Sequence, residues 1–527
     1  MGGAQSLDNE RVSAAEVIAS LCLATDLGMG FPFEHGLDGT LVTMRLCDAV
    51  GVDRQTATET YYASLLMYSG CTTDAEVKIH IFHGSLSASI THRQFGSQAQ
   101  MAAGILGAIP SPERQWPRRA YDAAAGIPKA ARFAKAHFRS MCEVAEMLAL
   151  QVGMPPSIAT QFQLLTERWD GKSVLRRAKA DEVPLAMRIV QVARDAAYQR
   201  LLHDDEDVVE VIRDRAGHAF DPQIAKVFVD NAPEILGAEA PESAWEQVLD
   251  AEPKPWLMLD GDAIERALSA MGAFSDLASP YLSGHSAGVG QLAGAAARLC
   301  ALGEADRTAA RRAGYLHDLG RTAVHPRIWS RDGRLTADEW EQVRLHPYHT
   351  ERVLSRSPFL APLAAIGRDH HERLDGSGYH RGVGANMLPP LCRLLAAADA
   401  YQAKLEPRAY RAPLPAEEAS AILAERARAG ALDPDMAAAV IEAAGHTAPR
   451  FERPAGLTER EAEVIGLLAR GRQTKQIARE LAISVKTADR HIQNAYRKIG
   501  VSTRAAATLY AAEHGLVPWG EFPIRKP

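Results

Sequence analysis

HHERLDGSGYH, residues 370–380, sets two adjacent imidazoles directly before a glycine-rich turn. Gly376 and Gly378 open backbone conformations that other residues avoid and let another group approach the chain closely. More of the same donor chemistry stands in order around this stretch. His285 lies in GHSAGV, His317 and Asp318 in HDLGR (317–321), His346 in RLHPYH and Asp399 in AADAY. Imidazole mixed with carboxylate suits iron, manganese, zinc or nickel rather than calcium. Seven such residues exceed the need of one tetrahedral ion. They suit two octahedral ions about 3.5–4 Å apart that share a carboxylate. A single histidine in a helical protein is more often a surface or satisfied core residue. The chain has 18 of them, and His80, His83, His92, His137 and His446 are assigned no chemistry. Specificity comes from the ordered set.

Working outward, residues 265–445 read as one long helical block, and residues 12–235 read as another. A connector rich in proline and acid, 236–264, lies between them. The two blocks look like distant copies. Gly70 follows His35 by 35 residues, and Gly320 follows His285 by 35. ERWDG (167–171) mirrors ERLDG (372–376), and Arg188 and Arg393 each stand 18 residues beyond the Asp of that string. Both blocks then reach an Asp-Pro, at Asp221-Pro222 and Asp433-Pro434. The first block has Met67-Tyr68 where the second has His317-Asp318. It has Leu165-Thr166 in place of His370-His371, and Arg194 in place of Asp399. Such residues cannot hold a cation, so the first block is expected to keep the fold without the metal. Its extra length, around 75–135, reads as a surface excursion or a regulatory insertion.

The second block resembles an HD-GYP domain, the part of the HD superfamily associated with hydrolysis of cyclic di-GMP. The resemblance rests on His285, HDLGR, His346, HHERLDGSGYH and Asp399 and spans essentially 265–445. It implies an all-helical fold and a site for two divalent ions, with iron or manganese favoured. By resemblance His285, His317, Asp318 and Asp399 hold one ion. Asp318 bridges to a second, held by His346, His370 and His371, and a water between the two attacks the phosphodiester. Asp318 and Arg321 are the expected catalytic residues. Arg321, Asp375, Gly376, Gly378 and Tyr379 are expected to face substrate or to shape the loop. Three positions depart from the family pattern. Arg321 replaces a lysine and presents a planar fork in place of a point charge. His380 replaces the proline of the GYP string. Tyr281 stands where some members carry a glutamate for a third metal, which favours two ions.

Beyond a linker at 446–456, residues 457–517 read as four short helices. Thr458 and Glu461 fit a capping box. Ile477, Ala478 and Leu481 recur at packing spacing, as do Ile492, Ala495, Tyr496 and Ile499. Two short helices around a tight turn form a helix-turn-helix pattern whose later helix enters the major groove. The segment resembles the LuxR-type domain of bacterial transcription regulators. By resemblance Lys486, Thr487, Arg490 and His491 face DNA, joined by Lys475, and the final helix (503–514) supports a homodimer.

The whole chain carries a formal net charge of −6, so any DNA-binding surface is local. The opening MGGAQSLDNERVS has no secretory pattern, and no run of 18 apolar residues is present. The six cysteines are scattered without a CxxC pair, as expected of reduced thiols in a cytoplasm. The fold expected is therefore all-α, with two tandem HD-type domains followed by a four-helix LuxR-type domain. The function expected is a cytoplasmic regulator that binds DNA and hydrolyses a cyclic dinucleotide, cyclic di-GMP first. A transcription factor that only senses a nucleotide, and a phosphohydrolase acting on another nucleotide, are the alternatives.

Overall fold

A computed structural model describes residues 10–72, 93–97, 99–100, 103–104, 116–237, 243–449, 451, 454–514 and 516. Most of the longer excursion read around 75–135 lies outside the described residues.

The first half opens with α1 (Ala14–Met29), α2 (His35–Val50) and α3 (Arg54–Leu65). Ser13 Oγ accepts the Ala15 amide at 3.1 Å to start α1, and Gly30 ends it in a left-handed turn at φ +72°. A side-chain cap of this kind contributes about 1 kcal/mol. Ile18, Leu21, Leu23 and Ala24 are all fully buried, so α1 is a central helix and not an amphipathic surface one. There follow α4 (Trp116–Gln151), α5 (Leu185–Gln199), α6 (Asp205–Arg215) and α7 (Pro222–Asp230). The connector is not a loose tether. Its strand Met258–Asp260 pairs antiparallel with Arg11–Ser13, with Val12 opposite Leu259. Tyr61 donates its hydroxyl to Val248 O at 2.9 Å, and Tyr62 donates to the Glu252 carboxylate at 2.5 Å.

The second half includes α8 (Gly261–Asp276), α9 (His285–Leu299), α10 (Glu304–Leu316), α11 (His346–Leu354), α12 (Ala361–Gly367), α13 (Pro390–Leu405), α14 (Ala416–Arg428) and α15 (Pro434–Ala443). A 3-10 turn, Leu319–Ala323, follows α10. The chain divides into two compact units whose boundaries fall inside α9, α10 and α12. One unit runs to Ala287 and adds Tyr315–Ala364 and Pro407–Ala412; the remainder forms the other. In the first unit, α1 packs against α2, α3, α11 and the turn Leu319–Ala323. In the second, an alanine-rich core gathers Val289, Ala293, Leu394, Leu395, Leu423 and Val440. Small residues there let backbones touch: a Cβ on Gly314 would stand 2.5 Å from Gly290 Cα.

The two halves repeat a set of contacts. The Asp26 carboxylate accepts the amide of Gly36 at 3.0 Å, ten residues on, and Asp276 accepts that of Ser286 at 3.1 Å, also ten residues on. Trp169 N donates to Ala219 O at 3.0 Å, as Leu374 N does to Ala431 O at 3.0 Å. Arg188 pairs with Asp221 at 2.6 Å and Arg393 with Asp433 at 3.1 Å. Each of these aspartates also caps a helix that begins with proline, α7 and α15.

The C-terminal segment contains α16 (Glu459–Ala469), α17 (Thr474–Glu480), α18 (Val485–Ile499) and α19 (Arg504–Glu513) around Val464, Ile465, Ile477, Ala488, Ile492 and Ala495. The capping box at Thr458 and Glu461 is present, with both of its hydrogen bonds. Among the described residues no helix is long and apolar enough to cross a membrane.

Candidate metal centre and nucleic-acid interface

Asp318 is fully buried and is ringed by imidazoles. Its Oδ2 lies 2.9 Å from His317 Nε2 and 3.2 Å from His285 Nε2, while its Oδ1 lies 3.0 Å from His346 Nε2. The two oxygens of one carboxylate therefore address different histidines. Two groups of ligand atoms result, each with all its atoms within 4.8 Å of one another. One is His285, His317, Asp318 and Asp399; the other is Asp318, His346, His370 and His371. All seven residues named from the sequence fall into these groups, and Asp318 belongs to both. The donor set, imidazole nitrogen with carboxylate oxygen and almost wholly buried, fits divalent metal ions.

Backbone carbonyls orient two of the rings. His346 Nδ1 donates to Val343 O at 2.5 Å and His370 Nδ1 donates to Gly367 O at 2.5 Å. A carbonyl only accepts, so each Nδ1 carries the proton and each Nε2 is left as the ligand atom. Burial acts to raise the pKa of Asp318. The Arg321 guanidinium and the His317 and His285 imidazoles outweigh it and hold the carboxyl well below its usual range.

Arg321 does not project away from this set. Its Nη2 stands 2.6 Å from Asp318 Oδ2, and its guanidinium lies 5.4 Å from the centre of the Trp329 ring. Asp375 and the glycines shape the loop. Asp375 Oδ1 accepts the Ser377 amide at 3.0 Å and Gly376 turns left-handed at φ +77°. A Cβ on Gly378 would meet Glu372 Cα at 2.5 Å. The Tyr379 ring lies 4.2 Å from that of His371, centre to centre.

Several supporting residues were not singled out from the sequence. Asp276 holds Ser286 beside His285, and burial pushes its pKa up to about 6 against the pull of His285 and Ser286. The buried Glu372 carboxylate accepts the Arg381 and Val383 amides at 3.1 and 3.2 Å and so pins the glycine-rich loop. The repeat could have flagged both, since Asp26 and Glu167 stand at the matching places.

In the first half the matching position is filled differently. Arg194, only 1% exposed, donates to Gly36 O at 2.6 Å and lies 4.9 Å from the centre of the Tyr68 ring. Its guanidinium approaches so closely that a Cβ on Gly39 would meet Nη1 at 2.1 Å.

In the C-terminal domain Lys475, Lys486 and Arg490 are exposed, and Thr487 and His491 are half-buried. Thr487 N donates to Ser484 Oγ at 3.0 Å and so helps to start α18. Lys498 and Arg504 serve the fold. Lys498 Nζ reaches Glu461 at 2.6 Å, and Arg504 donates to Leu468 O at 2.7 Å.

The family described as "HD domain" matches residues 273–436, and "Bacterial regulatory proteins, luxR family" matches 455–511. The chain joins an HD domain to a LuxR-type regulatory domain. Over 435 residues the chain is 28% identical to 3'3'-cGAMP-specific phosphodiesterase 3 of Vibrio cholerae, covering 81% of this chain and 94% of that protein. It is 35% identical over 160 residues to a cyclic di-GMP phosphodiesterase of Thermotoga maritima, 30% of this chain and 44% of the relative. Among solved structures, a cyclic GMP-AMP-specific phosphodiesterase of V. cholerae matches with a TM-score of 0.56 and 26% identity, covering 83% of this chain and 98% of that one. This HD–LuxR chain is thus a homologue of the HD-GYP cyclic-dinucleotide phosphodiesterases.

Proposed function

We propose that the chain hydrolyses a phosphodiester bond of a 3'–5'-linked cyclic dinucleotide and binds DNA through its C-terminal domain. The observation that carries this reading is Asp318, whose two carboxylate oxygens belong to two separate groups of ligand atoms. His285, His317 and Asp399 complete one group, and His346, His370 and His371 complete the other. A pair of divalent cations in such a set supplies Lewis acidity and activates a water for attack at phosphorus; iron or manganese is our first choice. The buried imidazoles and carboxylates orient the pair and exclude other water. Arg321 presents a planar fork to a phosphate oxygen. Asp375, Gly376, Gly378 and Tyr379 shape the loop that faces substrate, with Gly378 packed on Glu372 and the Tyr379 ring beside that of His371.

The substrate is cyclic di-GMP or 3'3'-cGAMP. The second is favoured by one finding: a relative aligned over 94% of its length is a cGAMP-specific enzyme, whereas the cyclic di-GMP phosphodiesterase of T. maritima aligns over 44% of its own. The first half is an HD-type domain that no longer binds metal, with Arg194 as a built-in cation. Lys475, Lys486, Thr487, Arg490 and His491 contact DNA, α19 supports a homodimer, and the protein works in the cytoplasm.

The test offers each dinucleotide to the manganese- or iron-loaded chain and to His370→Ala, with products separated by chromatography and metal counted. We expect two ions per parent chain, linear product, and a large loss of both in the variant. A parent that gives no linear product, yet shifts its DNA affinity with intact dinucleotide, replaces the enzyme by a sensor. A variant as active as its parent removes His370 from the site.

A further inference from the structure

Position 34 is where the two halves part company in backbone chemistry. Gly284 stands immediately before α9, at φ +81°, a left-handed conformation that glycine adopts freely. Glu34 stands immediately before α2 in the same left-handed conformation, at φ +75°. A side chain is strained there, and such strain persists where surrounding contacts hold it. The contacts are visible. Glu34 Oε1 lies 2.7 Å from Arg356 Nη2 and accepts the Ser243 hydroxyl at 3.4 Å, and Oε2 accepts the Ala244 amide at 3.1 Å. Beside it, the Phe33 ring lies under the guanidinium of Arg352 at 4.0 Å and that of Arg356 at 5.7 Å. A second grip lies along α1. The Glu16 carboxylate accepts the Ser357 hydroxyl and, at 3.2 Å, the Phe359 amide.

Apart from those of Ser243 and Ala244, these grips fall on α11 or on the residues just after it. That helix begins with His346, and its Thr350 accepts the Gly320 amide at 2.9 Å and donates to His317 O at 2.9 Å. The helix held by Phe33, Glu34 and Glu16 therefore sets one candidate ligand on its own first turn and anchors the backbone of another.

We propose that Glu34, with Phe33 and Glu16, is a positioning device through which the metal-free first half fixes α11 and so holds His346 and His317 in register for the ions. The inference rests on the metal-centre reading above. It gives the first half a task in the reaction without a site of its own.

Glu34→Gly is the discriminating variant, because it removes the carboxylate while relieving the left-handed strain. Metal per chain is measured after dialysis against metal buffered over a range of free concentrations, beside the melting temperature and the kinetic constants. We expect the free metal needed for half-occupancy of the weaker ion to rise about tenfold in Glu34→Gly and in Arg356→Ala. We expect kcat to fall several-fold, with KM moving less than about twofold. The effects of the two changes should add only in part in the double variant, since the Glu34–Arg356 pair is lost in both. A parent with two ions whose variants keep parental occupancy curves overturns the positioning role alone. A parent with fewer than two ions overturns the metal-centre reading, and this inference with it.

Discussion

Arg321 Nη2 lies 2.6 Å from Asp318 Oδ2, so a cation of the chain already rests on the carboxylate shared by the two ligand groups. The guanidinium also lies over Trp329, which limits where it can swing. With ions bound at Asp318, the same fork would be free to turn to a phosphate oxygen, as proposed above. We expect Arg321→Ala to lower kcat by about 10²-fold, the usual range for loss of one donor to developing charge. Metal per chain should stay at the parental level. Arg321→Lys should recover only part of the rate, keeping the charge and losing the fork and the stack. Steady-state kinetics with metal analysis check this; an Arg321→Ala enzyme with parental kcat would remove Arg321 from the chemistry.

Gly320 packs the 3-10 turn directly against α11. An added Cβ would stand 2.1 Å from His346 O and 2.4 Å from Thr350 N, both backbone atoms that cannot rotate aside. Gly320→Ala should therefore cost about 1–3 kcal/mol of stability, the range for overpacking, and should weaken metal binding by moving His346. Gly333, which has open space around its Cβ direction, is the control. Urea denaturation and metal content of the two alanine variants give the comparison. Equal stability would mean that α11 moves without cost.

These residues show how far the sequence can be read. The seven candidate ligands were legible because imidazole and carboxylate are chemically restricted choices and stand in a recognisable order. Gly70 and Gly320 were legible as spacing, but the reason for each is a backbone contact, with Met141 O and His346 O, that only folding creates. Arg188 and Asp221 were both marked as landmarks of the repeat, yet their pairing is a fact of three dimensions. Asp276 was missed because one carboxylate in an acidic chain looks like any other until it is buried. Lys498 and Arg504 stand beside the residues assigned to DNA, and a sequence shows their charge but not its direction. In the folded C-terminal domain both side chains turn back onto its own helices.

That distinction makes the DNA-binding surface testable. Lys486 and Arg490 are exposed and one helical turn apart on α18, so alanine at either should leave the domain folded. Removing one cation from a phosphate should weaken binding across all sequences and reduce the slope of log K against log salt by about 1. Lys498→Ala should act differently. It strips an ion-pair partner from the buried Glu461 of the capping box and should lower the melting temperature before it touches the salt slope. Fluorescence anisotropy over a salt series, beside thermal melts, separates the two classes. A Lys486→Ala domain with parental affinity and slope would take α18 out of the interface.

Asp26 makes the stability of the first half depend on pH in a direction that can be stated. Burial pushes its carboxyl up to about 7, against the pull of the Gly36 amide and the Arg194 guanidinium. An unfolded aspartate titrates at about 3.9. Between about pH 4 and 7 the folded chain keeps a proton that the unfolded chain has released. The contribution of Asp26 is therefore complete below the unfolded value and is lost as the pH rises to about 7. His35 runs the other way. Burial, with Arg194 beside it, holds its imidazole down at about 3, so its contribution is present above 6.5 and is lost as the pH falls. Asp26→Asn keeps an oxygen for the Gly36 amide and cannot ionise. Relative to the parent it should gain stability as the pH rises from about 4 to 7, by about 1.4 kcal/mol for each unit of the Asp26 shift. His35 cancels in that difference, and a chelator at every pH removes the contribution of bound metal. Urea melts of parent and variant across this range should converge at low pH and separate at neutral pH; parallel curves would show that Asp26 is ionised in the fold throughout.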